Sequence, residues 1–426
     1  MMNCRLPTKP WLAYLQLCLL LIPGSTFAQL DFNNCNGTNI QPSDCIDLVN
    51  IYNLSNGDNW FINDGWGTQA NGNLWHGITL QPGTGRVERI ELPFNRLNGR
   101  LPPTFNALDA LQVLDLGNNW LDDVLPSNLH ELAQLRELRL SNNDFNGTFE
   151  DNAAFPPWLA SMTSLEVLDI KNNRYAGAFP PNLEALINLK ELRLDNFNSA
   201  PFPDLQAMDQ LEILDFSGGR LEGGIPPWIG ELSTLLILDL RNSSLDGVLP
   251  ESLGELGQLE QLRLGFNSFE GRIPASLGHL SNLQLLDIGS GPGGARWLTG
   301  PIPSSFTLLN NLIELDLFWQ ALSGPIPSGL GQLAKLRRIN LAGNDLSGPL
   351  PESLTNLALE EFFVGVNFLQ SNSDLELELS PAQSIWFDDV SDTVYEWPET
   401  GIILISFDSI EQRLSPFLFS DRFELR

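Results

Sequence analysis

Residues 259–282 read LEQLRLGFNSFEGRIPASLGHLSN, and this stretch decides the fold. Leu262 and Leu264 are two residues apart, so their side chains point to the same face of a short strand. Asn267 follows at a position that suits a tight turn, where its side chain can bond backbone groups of a neighbouring coil. Pro274 has no N–H to donate and belongs at the edge of a ladder or outside it. One such segment cannot bury its leucine face alone.

The same segment recurs along most of the chain with a period of about 24 residues. We number the copies units 1 to 11, with a truncated unit 12; they begin at Val87, Leu111, Leu135, Leu165, Leu189, Leu211, Leu235, Leu259, Leu283, Leu312, Leu336 and Leu359. Stacked units bury a continuous leucine core and align parallel strands about 4.8 Å apart. The repeat therefore predicts an α/β-type repeat solenoid rather than a series of ordinary domains.

The turn asparagine is absent from five units, which carry Phe197, Gly219, Ser243, Gly291 and Gln320 in its place. We expect these departures to weaken the internal ladder of side-chain bonds. The middle coils should then be the least regular part of the solenoid.

The pattern L-x-x-L-x-L-x-x-N resembles the leucine-rich repeat, and the following L-x-G-x-I-P resembles its plant-type subclass. The resemblance covers roughly two-thirds of the chain and is specific for the fold but not for the function. It implies a right-handed superhelix with a parallel concave sheet and capped ends. It also implies a protein or peptide ligand, with a glycan as an alternative because the family includes inhibitors of wall-degrading enzymes.

Four segments follow from this pattern: a signal peptide at 1–28, an N-terminal cap at 29–84, leucine-rich repeats at 85–370, and a C-terminal β-rich cap and tail at 371–426. The first has a basic start, an apolar stretch and a small-residue site ending at Ala28, which is typical of secretory signals. A membrane anchor is the alternative for that segment. The ending Phe417 to Glu424 resembles a short tail on exported proteins of certain Gram-negative bacteria and favours a bacterial source.

The N-terminal cap contains three tryptophans, Trp60, Trp66 and Trp75, in a pattern similar to the cap that precedes plant-type repeats. In that family a cysteine pair brackets the last of these segments, whereas Asn73 and Leu80 occupy those places here. The tryptophans are interpreted as a lid on the core, with a sugar-binding platform as the alternative.

Charge and cysteine content limit the partners. The chain has 52 acidic and 23 basic residues, a net charge of −29. That balance excludes a nucleic-acid partner and disfavours an anionic membrane surface. Cys35 and Cys45 are the only cysteines left after the signal is removed, so an exported protein should pair them in one disulfide. No membrane span is predicted in the mature chain.

The sequence gives little support to catalysis. His76, His130 and His279 are its only histidines, and none accompanies a recognisable nucleophile. No glycine-rich phosphate loop and no metal-ligand spacing are present, so no cofactor and no metal site are predicted. The enzyme alternative would place its chemistry in residues 371–426.

The residue between the two strand leucines points away from the core and forms a charged column along the predicted concave face. One interpretation of this column is structural: opposite charges on successive strands offset the repulsion between like charges. The functional interpretation is a ligand-binding strip near the glycine-rich insert at 291–297. The predicted ligand-binding residues are Arg263, Phe266, Asp287, Trp297, Asp316, Phe318 and Trp319.

Phe318 and Trp319 are the most specific part of that prediction. They occupy positions where most units carry small or polar residues, and we expect both rings to be exposed. Exposed aromatic residues beside arginine are typical of binding hot spots. The sequence therefore predicts an exported, non-catalytic leucine-rich-repeat protein that binds a protein or peptide ligand on its concave face. The alternative is a glycan-binding protein or an adhesive surface spacer. The predicted location is secreted or at the cell surface, with the periplasm as a further alternative.

Overall fold

The computed structural model describes residues 30, 35, 38–68, 75–103, 105, 107–145, 155–175, 177–196, 200–291 and 298–370. The predicted signal peptide, the C-terminal cap and tail, and Trp297 lie outside these residues. Among the described residues, no helix is long and apolar enough to cross a membrane.

One sheet of thirteen strands forms the concave face within the described ranges. Its first strand is antiparallel to the second, and every later neighbour is parallel. The strands are Ile78–Leu80, Val87–Glu91, Val113–Asp115, Glu137–Arg139, Val167–Asp169, Glu191–Arg193, Ile213–Asp215, Ile237–Asp239, Gln261–Arg263, Leu285–Asp287, Glu314–Asp316, Arg338–Asn340 and Glu361–Phe363. The predicted solenoid with a parallel concave sheet is confirmed.

The leucine register is also confirmed. Leu262 pairs in register with Leu238 on one side and with Leu286 on the other, and none of the three exposes surface to solvent. Leu264 is 1% exposed. Each unit therefore contributes two inward apolar side chains, most of them leucines, to a core that continues along the stack.

In the units that carry the asparagine, its side-chain amide holds the turn after the strand. In unit 8 the Asn267 oxygen accepts the N–H groups of Ser243 and Leu245 at 3.0 and 3.1 Å. Its nitrogen donates to the carbonyl of Leu240 in the preceding unit and of Leu264 in its own. One amide thus satisfies backbone groups of two coils, which would otherwise be buried without partners.

Two of the five replacements at this position keep part of the ladder, contrary to expectation. Gln320 donates to the carbonyl of Ile288 at 2.8 Å and accepts the N–H of Leu298 at 2.9 Å. The Ser243 hydroxyl donates to the carbonyl of Phe216 at 2.9 Å. A side chain of different length still reaches the preceding unit, so these coils stay regular.

Short 3₁₀ helices and lateral strands complete each coil. The 3₁₀ helices are Gly57–Asn59, Ser127–Glu131, Pro157–Ser161, Leu183–Ala185, Pro227–Glu231, Glu251–Glu255, Ala275–His279, Ser304–Leu308, Ser328–Gln332 and Glu352–Asn356. The lateral strands are Asn98–Arg100, Trp120–Asp122, Ala200–Pro201, Leu221–Glu222, Asp246–Val248, Ser268–Arg272, Leu298–Gly300, Ala321–Gly324, Asp345–Pro349 and Phe368–Gln370. The repeat proline precedes the 3₁₀ helix in unit after unit, where its missing N–H is not needed.

The N-terminal cap seals the first coil. Its helix, Pro42–Leu54, is anchored by the predicted disulfide between Cys35 and Cys45. Trp60, Trp66 and Trp75 are at most 6% exposed. The Trp66 ring meets Trp60 edge-on and Trp75 at a tilt, with centroids 4.9 and 5.0 Å apart. These tryptophans are therefore part of the core lid and present no open platform.

Substituting Leu264 by alanine tests the register. Because the side chain is buried on the stacking axis, we expect the free energy of unfolding to fall by about 2–5 kcal/mol. Leu308, which is 55% exposed on a 3₁₀ helix, is the matched control, and its alanine variant should change stability by no more than about 0.5 kcal/mol. Chemical denaturation measures both. Equal losses at the two leucines would contradict the core assignment.

Candidate functional site on the concave sheet

The residue before the turn amide adopts a left-handed backbone conformation in most units. Asparagine or glycine fills this position in units 2 to 7 and in unit 11, and these residues tolerate positive φ well. Bulky residues fill it elsewhere: Phe94, Phe266, Trp319 and Val366. Such residues are strained in this conformation, at a cost of order 1–3 kcal/mol each.

Two of these bulky residues lie at the predicted site, in units 8 and 10, with one coil between them. Phe266 has φ of 58° and Trp319 has φ of 48°. Phe266 is 47% exposed, and Trp319 is half-buried. An asparagine would satisfy the turn at both places, as it does in units 2 to 5, so the fold itself gives no reason for an aromatic ring.

Phe318 is buried, at 7% exposure, and the expectation that its ring is exposed was wrong. The reason is Gly289 in the preceding unit, which leaves room for the ring; a methyl group there would collide with it. The Phe318 ring packs edge-on against Phe266, with centroids 5.7 Å apart. Phe318 therefore supports Phe266 and forms the wall of the site instead of its surface.

Trp319 extends the aromatic surface in the opposite direction. A Cβ built on Gly343 of unit 11 would lie 2.6 Å from Trp319 Cδ2, so the indole covers that glycine. Phe266, Phe318 and Trp319 are here called the aromatic shelf. They belong to units 8 and 10, and because the Trp319 indole lies over Gly343 the shelf extends to unit 11, or about 14 Å at the spacing of parallel strands. Gly289 in unit 9 leaves room for the Phe318 ring to reach Phe266, so the shelf is continuous.

The aspartates of the charged column have a local role that the sequence reasoning missed. Their side-chain oxygens accept the N–H two residues further along, which closes the turn after the strand. This bond is 3.1 Å for Asp115, 3.0 Å for Asp215, 3.1 Å for Asp239, 3.1 Å for Asp287 and 3.2 Å for Asp316. The recurring Asp-x-Gly, Asp-x-Ser and Asp-x-Arg spacing was the available signal.

The column is also more buried than expected. Asp215, Asp239 and Asp316 are 7%, 5% and 9% exposed. Burial raises the pKa of Asp287 from 3.8 to about 6, with the negative charge of Asp239 acting in the same direction. Burial first, and then the charge of Asp287, raise the pKa of Asp316 well above its usual range. These two carboxyls face each other across adjacent strands.

Arg263 is turned away from that pair. Its Nη1 lies 3.9 Å from Asp239 in the preceding unit, and its buried Nε has no hydrogen-bond partner. Arg241 makes the closer contact to Asp239, at 2.7 Å. The structure thus brings Arg263, Phe266, Asp287, Asp316 and the rest of the shelf together over units 8 to 10, and their role in binding stays a prediction.

The predicted site has no metal-binding character in the part of the chain that is described. No group of three or more His, Cys, Asp or Glu side chains there is arranged to hold a metal ion. What the arrangement offers chemically is an aromatic surface beside carboxylates that carry a desolvation penalty.

Family models and known proteins agree with this architecture. A "Leucine rich repeat" model matches residues 85–145, and a second "Leucine Rich Repeat" model matches 210–232, 258–280 and 335–357. Phytosulfokine receptor 1 of Arabidopsis thaliana is 32% identical over 153 residues, which is 31% of this chain and 15% of that receptor. The chain is a plant-type leucine-rich-repeat protein.

Solved receptor ectodomains share the fold. The structure titled PEPR1-AtPEP1 is 32% identical, with a TM-score of 0.59, and the match covers 78% of this chain and 49% of that one. The Arabidopsis receptor kinase HAESA ectodomain, in complex with an IDA peptide hormone, is 27% identical with a TM-score of 0.60, covering 70% and 57%. The chain thus spans about half of these ectodomains and a small part of the full receptors.

Exchanging residues at the left-handed position tests the strain. Phe266→Asn should leave the free energy of unfolding unchanged or raise it, because relief of backbone strain offsets the ring contact with Phe318, worth about 0.5–1.5 kcal/mol. Asn118→Phe, at the same position in unit 2, should lower it by about 1 kcal/mol or more. Urea denaturation gives both values. A loss above about 2 kcal/mol for Phe266→Asn would make its ring a structural element.

The buried carboxyls predict a pH dependence of stability. Asp287 has a pKa of about 6 in the folded protein against 3.8 for a free carboxyl, so the folded state binds more protons between those values. The contribution of Asp287 is therefore favourable at low pH and is lost as the pH rises through about 6. Asp287→Asn should be more stable than the parent at pH 7.5, and the difference should shrink toward pH 4.5. An equal difference at both pH values would exclude this origin.

Proposed function

We propose that the protein is an exported, non-catalytic binding protein that recognises a protein or peptide ligand on its concave face, at the aromatic shelf. The observation that carries the proposal is the pair of partly exposed aromatic residues held in a strained left-handed conformation. Strained backbone is retained where the surrounding structure over-determines it, and it clusters at ligand-binding sites. Aromatic residues near arginine are also the residues that dominate interface energies.

The geometry fits an extended peptide. At about 3.3 Å per residue, a shelf about 14 Å long matches roughly four residues of an extended chain. The HAESA and PEPR1 structures named above support a peptide ligand, since the first is a complex with a peptide hormone and the second is titled with AtPEP1. The glycan alternative has no support among the relatives described above.

Export is supported by the cap. The Cys35–Cys45 disulfide is of the kind that persists in an oxidising compartment. We therefore place the protein outside the cytoplasm, secreted or at the cell surface. The side chains gathered at the shelf are aromatic rings, carboxylates and one arginine, a set typical of binding surfaces.

Selection from a random dodecapeptide library displayed on phage tests the proposal. The full chain should enrich a family of related peptides. The double variant Phe266→Asn, Trp319→Asn should retain the selected peptides with at least about tenfold lower affinity, because it removes the accessible rings of the shelf without losing stability.

Phe94→Asn is the matched control. Phe94 occupies the same left-handed position in unit 1 and is 67% exposed, but it lies far from the shelf. Its variant should bind the selected peptides as the parent does. Failure to enrich any peptide family would contradict the proposed function, and loss of binding in the Phe94 variant alone would move the site to the N-terminal coils.

A further inference from the structure

We propose that the ligand presents a lysine or arginine side chain, whose cationic head is held by Asp287 and Asp316 at the edge of the aromatic shelf. The inference rests on the proposed function and specifies the chemistry of the ligand. The two carboxyls accept backbone hydrogen bonds that close turns of the fold. The fold does not explain why these two groups carry a negative charge.

The turn needs an oxygen acceptor, not a negative charge. In unit 11 the same position is Asn340, and its side-chain oxygen accepts the N–H of Ala342 at 3.3 Å. An asparagine therefore closes the turn as an aspartate does. The carboxylate charge at Asp287 and Asp316 is surplus to that role, and burying it is unfavourable unless a cation compensates it.

Two other aspartates of the column, Asp215 and Asp239, have such a cation. Lys171 Nζ lies 2.7 Å from Asp215, and Arg241 Nη2 lies 2.7 Å from Asp239. Among the described residues, no lysine or arginine nitrogen lies within 4.0 Å of the carboxylate of Asp287 or Asp316. The charge of Arg241 acts on Asp287, but its guanidinium contacts Asp239, and Arg338 on the strand after Asp316 pairs with Glu314. Within the described ranges, Asp287 and Asp316 are thus two neighbouring acids of the column with no cation in direct contact, and Asp316 accepts a hydrogen bond only from neutral donors, the Phe318 N–H and the Asn340 amide at 3.3 Å.

Glycines next to the aromatic shelf allow the two carboxylates to lie close to it. A Cβ on Gly265 would lie 2.6 Å from Asp287 Oδ1, so the carboxylate rests against the residue that precedes Phe266. A Cβ on Gly289 would lie 3.0 Å from Asp316 Oδ1. Asp287 is half-buried and keeps solvent access, whereas Asp316, beside it on the next strand, is nearly covered.

A basic side chain matches both halves of this site. Its aliphatic stem can lie along the aromatic shelf while its charged head reaches Asp287 beside the Phe266 ring. Cations bind favourably near aromatic faces, and a charge-assisted hydrogen bond to a partly desolvated carboxylate is stronger than a neutral one. An acidic ligand would instead meet uncompensated negative charge. The chemistry therefore favours a peptide with an apolar residue next to lysine or arginine.

The phage selection described above gives the test. Peptides enriched on the parent protein should contain lysine or arginine more often than the unselected library. In the most enriched peptide, replacing that residue by glutamine should weaken binding to the parent at least about tenfold. The same replacement should change binding to the Asp287→Asn, Asp316→Asn variant by less than about twofold, because the charges it met are gone.

The strongly acidic surface requires a charge-matched control. Glu231→Gln, Glu255→Gln removes two exposed charges from 3₁₀ helices and should leave the preference for basic peptides intact. If this control loses the preference as fully as the aspartate variant, the attraction is non-specific and the inference fails. It also fails if peptides are enriched without basic residues, an outcome that leaves the proposed function standing. Enrichment of no peptide would instead overturn the proposed function.

Discussion

The regular coils of this solenoid depend on one recurring turn. After the second strand leucine the chain leaves the sheet through a left-handed residue, and the next side chain, usually asparagine, bonds the backbone of two adjacent coils. Without that amide, backbone groups in the core would lack partners at a cost of about 1–3 kcal/mol each. The turn also fixes where side chains at its edge must point.

The candidate site lies where bulky residues adopt the left-handed conformation of this turn and are strained by it. Phe266 and Trp319 take the left-handed position that asparagine or glycine fills in most coils. Glycines at 289 and 343 accept the neighbouring rings, so the departures in units 8 to 11 are complementary to each other. Complementary departures of this kind separate a binding surface from scattered exposed apolar residues.

The sequence was sufficient for the architecture because leucine spacing determines strand, face and register together. The Cys35–Cys45 pairing followed equally directly from cysteine content. The burial of Phe318 could not be foreseen, since it depends on a glycine about 30 residues earlier that the stack places beside it. The turn-closing role of the column aspartates was missed because a recurring aspartate at an outward strand position is equally consistent with a charge ladder or a binding strip.

Photo-cross-linking tests the central claim that the aromatic shelf is where the ligand lies. An enriched peptide carrying one benzophenone group is irradiated with the full chain, and the attachment sites are mapped by mass spectrometry. We expect the cross-links on the concave side of units 8 to 11, around residues 263–266, 287–290, 316–319 and 340–343. Cross-links confined to the convex 3₁₀ helices or to the N-terminal cap would contradict the account.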